Sequence, residues 1–236
     1  MLEEYYHLEM QVFLDNDNLS RKIIHRLQSG QNIDSYLITE YRFLEEFFDN
    51  WQAFFHFLGY RLERFSRGET FYFLTPCSSR VRMSTLRRGA SFLGLFLSTH
   101  FLSAGIEGKD ELPVLDLISR LENSFDFNQL IKIFNPQQGR AVRKRQQSSR
   151  QAARLRSWIL TNLRQLHRLR FIELTPSVNA DLPKMIIVRL PGLARFLEAA
   201  RKSLDLDYEG GAPLHEVIDS IWTRINWEEE QEEDET

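Results

Sequence analysis

The sequence predicts a mainly α-helical protein with small β-hairpins, an α+β fold arranged as two units in tandem. Apolar residues recur at helical spacing through most of the chain. Two pairs of segments, at residues 60–75 and 171–190, instead alternate between apolar and polar residues, as β-strands do. Each pair follows a set of helical segments. Hydrophobic residues make up 42% of the 236 residues, which is enough for real cores.

The first unit is predicted to contain three helices followed by a hairpin. Glycines stop the first helix at Gly30 and the third at Gly59, because glycine accepts the backbone conformation that ends a helix. The predicted segments are helices at 19–28, 34–38 and 40–58, and strands at 60–65 and 70–75 joined by a turn at 66–69.

The second unit follows a predicted linker at residues 76–81. Ser84 is a candidate cap for its first helix, and Ser148 or Ser149 for its last. The predicted segments are helices at 84–104, 111–122, 125–134 and 149–168, a basic loop at 135–147, strands at 171–175 and 184–190, and helices at 192–204 and 213–226.

Helix, helix, helix, hairpin is the order of a winged-helix domain, a relative of the helix-turn-helix. The order occurs twice, so the sequence predicts tandem winged-helix domains plus C-terminal helices and a disordered acidic tail. The expected divisions are an N-terminal extension at 1–18, winged-helix domains at 19–80 and 81–204, a C-terminal helix at 205–227 and the tail at 228–236.

Charge is strongly segregated along the chain. From Phe127 to Ile172, 46 residues contain no Asp or Glu but eleven Lys and Arg. The rest of the chain has 19 Lys and Arg against 33 Asp and Glu, a formal charge of −14 that the total of −3 conceals. A basic stretch on an otherwise acidic body favours binding to a polyanion.

The helix inside the basic stretch is predicted to have two distinct faces. At 100° per residue, its apolar residues share one arc, and four arginines with two hydroxyls lie on the opposite side. Guanidinium groups match phosphate oxygens, and the helix directly precedes a hairpin, as a recognition helix does. We call this set the arginine face: Arg150, Arg154, Ser157, Thr161, Arg164 and Arg168.

The arginine face predicts contact with DNA that does not depend on base sequence, because phosphate contacts carry no sequence information. A cluster in the neighbouring loop could reach an adjacent phosphate; it consists of Arg140, Arg143, Lys144 and Arg145. Two alternatives stay open: an acidic protein segment as the ligand, or a basic face that is simply solvated.

The first unit has a different surface character. Its third predicted helix carries Glu40, Glu45, Glu46 and Asp49, which would repel a phosphate backbone. Its aromatic arc is either the core of the unit or a protein interface, such as that of a homodimer. The arc contains Phe43, Phe47, Phe48, Trp51, Phe54 and Phe55.

Catalytic and metal-binding patterns are mostly missing from the sequence. It has no phosphate-binding glycine loop, nucleophile elbow or zinc-protease motif, and a single cysteine, Cys77, excludes a disulfide framework and suits the cytoplasm. We expect no catalytic residues, no metal and no cofactor, and no membrane span. His167 and Arg170 have the spacing of tyrosine recombinases, with Tyr208 downstream, but such a short pattern is expected by chance in an arginine-rich helix.

Three segments resemble the MukE family, the accessory subunits of the bacterial condensin MukBEF, and the related MksE subunits. They are LQSGQNI at 27–33, FLEEFFDNWQAFFHFLGYRLERFSRGETFYFLTP at 43–76 and LRQLHRLRFIEL at 163–174, and the acidic tail adds to the likeness. The two termini and the loop at 135–147 differ from MukE, which favours the MksE branch.

The resemblance implies a tandem winged-helix protein without enzymatic activity. It implies a homodimer that binds a kleisin subunit of the MukF or MksF kind, and acts with an SMC ATPase of the MukB or MksB kind on nucleoid DNA, with the arginine face towards the DNA. Two alternatives remain: the equivalent subunit of an SMC-type plasmid-defence system, and a winged-helix transcription regulator.

Overall fold

The computed structural model describes residues 10–81, 83–105, 109–134, 149–176 and 182–203. It is mostly helical with two small antiparallel sheets, in agreement with the predicted α+β class. None of the helices within these ranges has the length and apolar content that crossing a bilayer requires.

The first unit contains four helices and one sheet of three strands in the order β1-β3-β2. Strand β1 lies between two helices in sequence but pairs with the last strand of the hairpin, so it ties the helices to the sheet. The elements are α1 (Met10–Asp15), α2 (Asp17–Gln28), β1 (Ile33–Asp34), α3 (Ile38–Glu46), α4 (Phe48–Phe57), β2 (Tyr60–Phe65) and β3 (Phe71–Pro76).

The helix boundaries of the first unit differ from the predicted ones. In the segment 34–38, predicted as a helix, residues 34–37 form the end of β1 and a turn, and Ile38 begins α3. The predicted helix at 40–58 is two helices that meet at Phe47. The backbone at Phe47 has φ −116° and ψ 37°, which is outside the helical region. Both helices carry apolar residues at helical spacing, so the break between them leaves no signal in the pattern.

The second unit repeats the arrangement, with a sheet of three strands in the order β4-β6-β5. Residues 111–113, predicted as the start of a helix, form strand β4 instead. The first helix of the unit, predicted to begin at residue 84, begins at Arg88. The elements are α5 (Arg88–Gly105), β4 (Glu111–Pro113), α6 (Val114–Ser124), α7 (Phe127–Phe134), α8 (Ser149–Arg168), β5 (Ile172–Thr175), β6 (Ile186–Arg189) and α9 (Ala194–Ser203).

Each unit has its own hydrophobic core. In the first, Trp51 is fully buried and contacts Phe13 of α1 with ring centroids 4.5 Å apart, so part of the predicted N-terminal extension packs on this unit. In the second, α5 and α8 pack on each other and on the sheet. The predicted C-terminal helix and acidic tail lie outside the described residues.

A polar joint holds the two units together, and the fully buried side chain of Asn32 is at its centre. Its Nδ2 donates to the backbone oxygens of Leu169, at 3.1 Å, and Arg170, at 3.3 Å. Its Oδ1 accepts a hydrogen bond from Arg195 at 2.9 Å. Every polar atom of this amide side chain is therefore used, as burial requires.

Charged contacts flank Asn32 in the inter-unit joint. Arg170 pairs with the buried carboxylate of Asp34 at 3.0 Å. The guanidinium of Arg195 lies 3.9 Å from the centroid of the Phe73 ring, and its burial lowers its pKa to about 10. An arginine with that pKa remains a cation at neutral pH, so it can hold both the amide of Asn32 and the aromatic face.

Candidate nucleic-acid interface

Helix α8 is anchored by a continuous apolar stripe. Leu155, Ile159, Leu163 and Leu166 are fully buried, and Leu169 directly after the helix is nearly so. These positions follow the three- and four-residue steps that put side chains on one face of a helix. The predicted core face is therefore confirmed, and its burial determines which side of the helix points to solvent.

The opposite side of α8 is exposed, and it carries the predicted arginine face. Arg154, Ser157, Thr161, Arg164 and Arg168 are all exposed. From Arg154 to Arg168 the helix rises about 21 Å at 1.5 Å per residue. This length exceeds the width of the DNA major groove, about 12 Å, so the face is long enough to contact phosphates on both sides of the groove.

The two hydroxyls of the arginine face are not equivalent. Thr161 donates its hydroxyl hydrogen to the backbone oxygen of Ser157 at 2.9 Å, inside the same helix. In this conformation the Thr161 hydroxyl has no hydrogen left for a phosphate oxygen, so its donor role requires a rotation of the side chain. Phosphate contact at this surface would therefore depend mainly on the guanidinium groups.

Two other arginines of the basic stretch face carboxylates. Arg156 lies off the arginine face and approaches Glu122 of α6 at 4.0 Å. Arg170 pairs with Asp34 in the inter-unit joint. Arg156 is separated from the arginine face by its position on the helix, because 100° per residue places position 156 about 120° away from position 150. Arg170 lies beyond the end of α8.

The backbone conformation at the end of α8 could not be predicted from the sequence. Arg170 has a positive φ of 58°, a region that normally selects glycine. Its N–H donates to the oxygen of His167, and the N–H of Phe171 donates to that of Leu166, both at 3.0 Å. This is the Schellman pattern of helix termination, with arginine in the usual place of glycine.

Several predicted contacts cannot be compared with the structure. The loop cluster of Arg140, Arg143, Lys144 and Arg145 lies outside the described residues. Position 150 belongs to α8, but the side chain of Arg150 also lies outside the described part. Contact of the arginine face with DNA stays a prediction.

The aromatic arc of the first unit lies mainly in the core. Phe43, Trp51 and Phe55 are buried, and the other three members, Phe47, Phe48 and Phe54, are half-buried against the same cluster. This placement matches the core alternative that the sequence left open. The exposed large apolar side chains of the unit are different residues: Leu14, Tyr36, Ile38, Phe57 and Leu58.

One acidic residue assigned to the surface of the first unit is buried. Glu40 is 3% exposed, and its Oε1 lies 2.7 Å from Nζ of Lys22 and 3.4 Å from Nε of Arg26. Burial opposes its ionisation, but the hydrogen bond from Lys22 and the neighbouring charges outweigh that effect, so the pKa is lowered. Glu45, Glu46 and Asp49 are exposed as expected.

The residues with recombinase spacing make structural contacts. His167 accepts a hydrogen bond at Nδ1 from the backbone N–H of Leu174, at 3.3 Å, which links the helix to β5. Arg170 is held by Asp34. Tyr208 lies outside the described residues.

Two arginines that the sequence did not single out lie on the segment that is attached to α8. Arg87 and Arg88 are exposed and immediately precede or begin α5, and the backbone of Arg87 is bonded to Gln165 of α8. No local pattern relates positions 87 and 165, because the contact exists only in the folded chain.

The chain matches a family model described as condensin complex protein MksE, over residues 18–201. No curated protein sequence matches it. The matched range includes α3 to α8, both sheets and all of α2 except Asp17. The resemblance that the three sequence segments indicated is confirmed, and the chain belongs to the MksE family of accessory subunits of condensin complexes.

Proposed function

We propose that this protein is a non-enzymatic subunit that joins DNA to the kleisin and SMC ATPase of a condensin complex in chromosome organisation and segregation. In this proposal it acts as a homodimer, in the cytoplasm and on the nucleoid. Both units are winged-helix domains, supported by the repeated order of helices around two sheets with equivalent strand order. The DNA contact is made by the arginine face.

The observation that carries the DNA contact is the two-sided structure of α8. Its apolar residues are buried in the core. Arg154, Arg164 and Arg168 point away from that core on one exposed side. The helix directly precedes the hairpin of strands β5 and β6, the position of a recognition helix in winged-helix proteins. Guanidinium contacts to phosphate give affinity without base preference.

The two described amide side chains of α8, those of Asn162 and Gln165, support binding that is independent of base sequence. Asn162 is buried and donates to the backbone oxygen of Trp158 at 2.7 Å. Gln165 uses both polar atoms on the segment that precedes α5. Reading adenine in the major groove requires a free amide. These contacts favour a DNA-entrapping subunit over a transcription regulator.

The partner surface is proposed to lie on the first unit. Its exposed apolar side chains include Phe57, which is 84% exposed at the end of α4, and Tyr36 and Ile38 before and at the start of α3. An exposed aromatic ring of this kind is typical of protein interfaces. Phe57→Ser should weaken kleisin binding or dimerisation, whereas Leu115→Ser on the second unit should leave both unchanged.

The central experiment measures duplex DNA binding by the assembled complex. Arg154→Glu with Arg164→Glu should abolish salt-sensitive binding and preserve kleisin binding, because both side chains are exposed and Glu is as good a helix former as Arg. The control is Arg21→Glu with Arg42→Glu, which makes the same charge change in the first unit. Unchanged DNA affinity in the α8 variant would refute the assignment of the DNA contact.

A second comparison tests which side of α8 contacts DNA. Arg154→Gln should weaken DNA binding, and Arg156→Gln should not, because Arg156 points towards Glu122. Equal losses in both variants would indicate a diffuse charge effect instead of a defined face. A specific regulator would be recognised by one sequence that binds far more tightly than bulk DNA.

A further inference from the structure

The segment before α5 is attached to α8 by one side chain. Nε2 of Gln165 donates to the backbone oxygen of Thr85 at 3.1 Å, and Oε1 of Gln165 accepts from the backbone N–H of Arg87 at 3.3 Å. Leu86, between them, packs against the core of the second unit. Three consecutive residues of the segment are therefore held in place along the helix.

Gln165 lies at the border of the arginine face. At 100° per residue it is about 60° from Arg168 and about 40° from Thr161 around the helix. The backbone of Arg87 is in direct contact with this border residue, and Arg88 follows it. Both arginine side chains are exposed. The attachment thus places the backbone of Arg87 beside the arginine face, and Arg88 is the next residue along the chain.

The sequence around this segment has the same charge character as the basic stretch. Residues 70–106 form a second run without Asp or Glu, and it contains four arginines: Arg80, Arg82, Arg87 and Arg88. The two acid-free runs are separated along the chain by the acidic residues between 107 and 126. Gln165 of one run bonds the backbone of Thr85 and Arg87 in the other, so the two runs are adjacent in the folded chain.

The position of Arg87 does not suggest a role in stability. The backbone N–H groups of Ala90 and Ser91 donate to its oxygen, so it stands at the start of α5. A cation at the N-terminal end of a helix is disfavoured by the helix dipole. A binding role accounts for this charge better than a structural one.

We propose that Arg87 and Arg88 extend the arginine face into one phosphate-binding surface for duplex DNA, and that Gln165 is the positioning residue that holds them there. This proposal rests on the DNA contact proposed above. The two arginines would bind phosphates beyond those contacted by α8, on the side of the helix that Gln165 borders.

The test measures DNA affinity of the full chain as a function of salt concentration. Arg87→Gln with Arg88→Gln should make the slope of log K against log salt less negative by about 2, because each phosphate contact contributes about −0.9. The loss of affinity between 50 and 200 mM salt should then be about tenfold smaller than in the unaltered protein. The control Arg21→Gln with Arg42→Gln should keep the original slope.

Gln165→Met separates positioning from general destabilisation. It keeps the length of the side chain but removes both hydrogen bonds, so it should weaken DNA binding in the otherwise unaltered protein. In the Arg87→Gln, Arg88→Gln background it should cause no further loss, which is the signature of coupled residues. An equal loss in both backgrounds would contradict the positioning role.

The outcomes distinguish the role of Arg87 and Arg88 from the DNA contact of α8 on which it rests. If the unaltered protein binds DNA and Arg154→Gln with Arg164→Gln weakens it, but Arg87→Gln with Arg88→Gln does not, only the extension is wrong. If neither pair of substitutions changes DNA binding, the DNA contact of α8 is wrong as well.

Discussion

Asp34 and Arg170 form an ion pair of 3.0 Å that joins the first unit to the end of α8. The carboxylate is fully buried, and the guanidinium is only partly exposed. Burial raises the pKa of Asp34, and the charge and hydrogen bond of Arg170 oppose that rise without cancelling it. The loss of folding stability should therefore depend on which of the two partners is removed.

Removing Arg170 should be the more damaging change. Arg170→Met leaves the buried carboxylate without its cation, and breaking such a pair from one side costs about 3–5 kcal/mol. Asp34→Asn keeps an acceptor for the N–H of Tyr36 and should cost only about 1 kcal/mol. Denaturant unfolding of both variants measures the difference, and equal losses would contradict this asymmetry.

Glu40 should make the protein less stable in acid. Its folded pKa lies below the ordinary value of 4.5, so its contribution is complete above pH 4.5 and is lost as the pH falls through the folded pKa. Glu40→Gln should flatten the dependence of the unfolding free energy on pH below 4.5. Lys22→Met, which removes the 2.7 Å contact, should flatten it in the same direction. An unchanged pH profile in both variants would exclude this role.

Gly192 is required by the inter-unit joint. A Cβ at this position would lie 2.5 Å from Nδ2 of Asn32 and 2.9 Å from the backbone oxygen of Arg170. Gly192→Ala should therefore destabilise the protein by about 2 kcal/mol through overpacking. Gly68→Ala is the comparison: a Cβ there meets no atom within 4 Å, so only its positive φ of 98° is penalised, by about 1 kcal/mol.

Helix α1 should contribute to the stability of the first unit. Phe13 is 7% exposed and packs on Trp51 and Phe54, so Phe13→Ala should cost about 3 kcal/mol. Leu14, the next residue, is 62% exposed, and Leu14→Ala should change stability by less than about 0.5 kcal/mol. A similar melting temperature for both variants would show that α1 does not belong to the folded unit.

Periodicity predicted the elements whose two sides differ most. The apolar stripe and the arginines of α8 occupy opposite sides of one long helix, so both its limits and its exposed face could be derived from the chain. The hairpin strands were equally clear, because their alternation changes abruptly from that of the helices. These features depend on neighbours along the sequence.

Features that depend on distant contacts left no local pattern. Strand β4 exists because Glu111 and Leu112 pair with β6, about 75 residues away. Glu40 was assigned to solvent because charged residues are rarely buried, yet Lys22 and Arg26 accommodate it. Arg170 has the left-handed conformation typical of glycine, and Asp34, which pairs with its side chain, is 136 residues away along the chain.

The left-handed residue at the end of α8 has a geometrical consequence. Leu169 and Arg170 supply both the termination of the helix and the acceptors for Asn32, so the axis of α8 is oriented with respect to the first unit by the backbone itself. A duplex lying along α8 would take its direction from this joint. In an assembly with several copies of the chain, the same angle would recur at each copy and would set the path of the DNA through the complex.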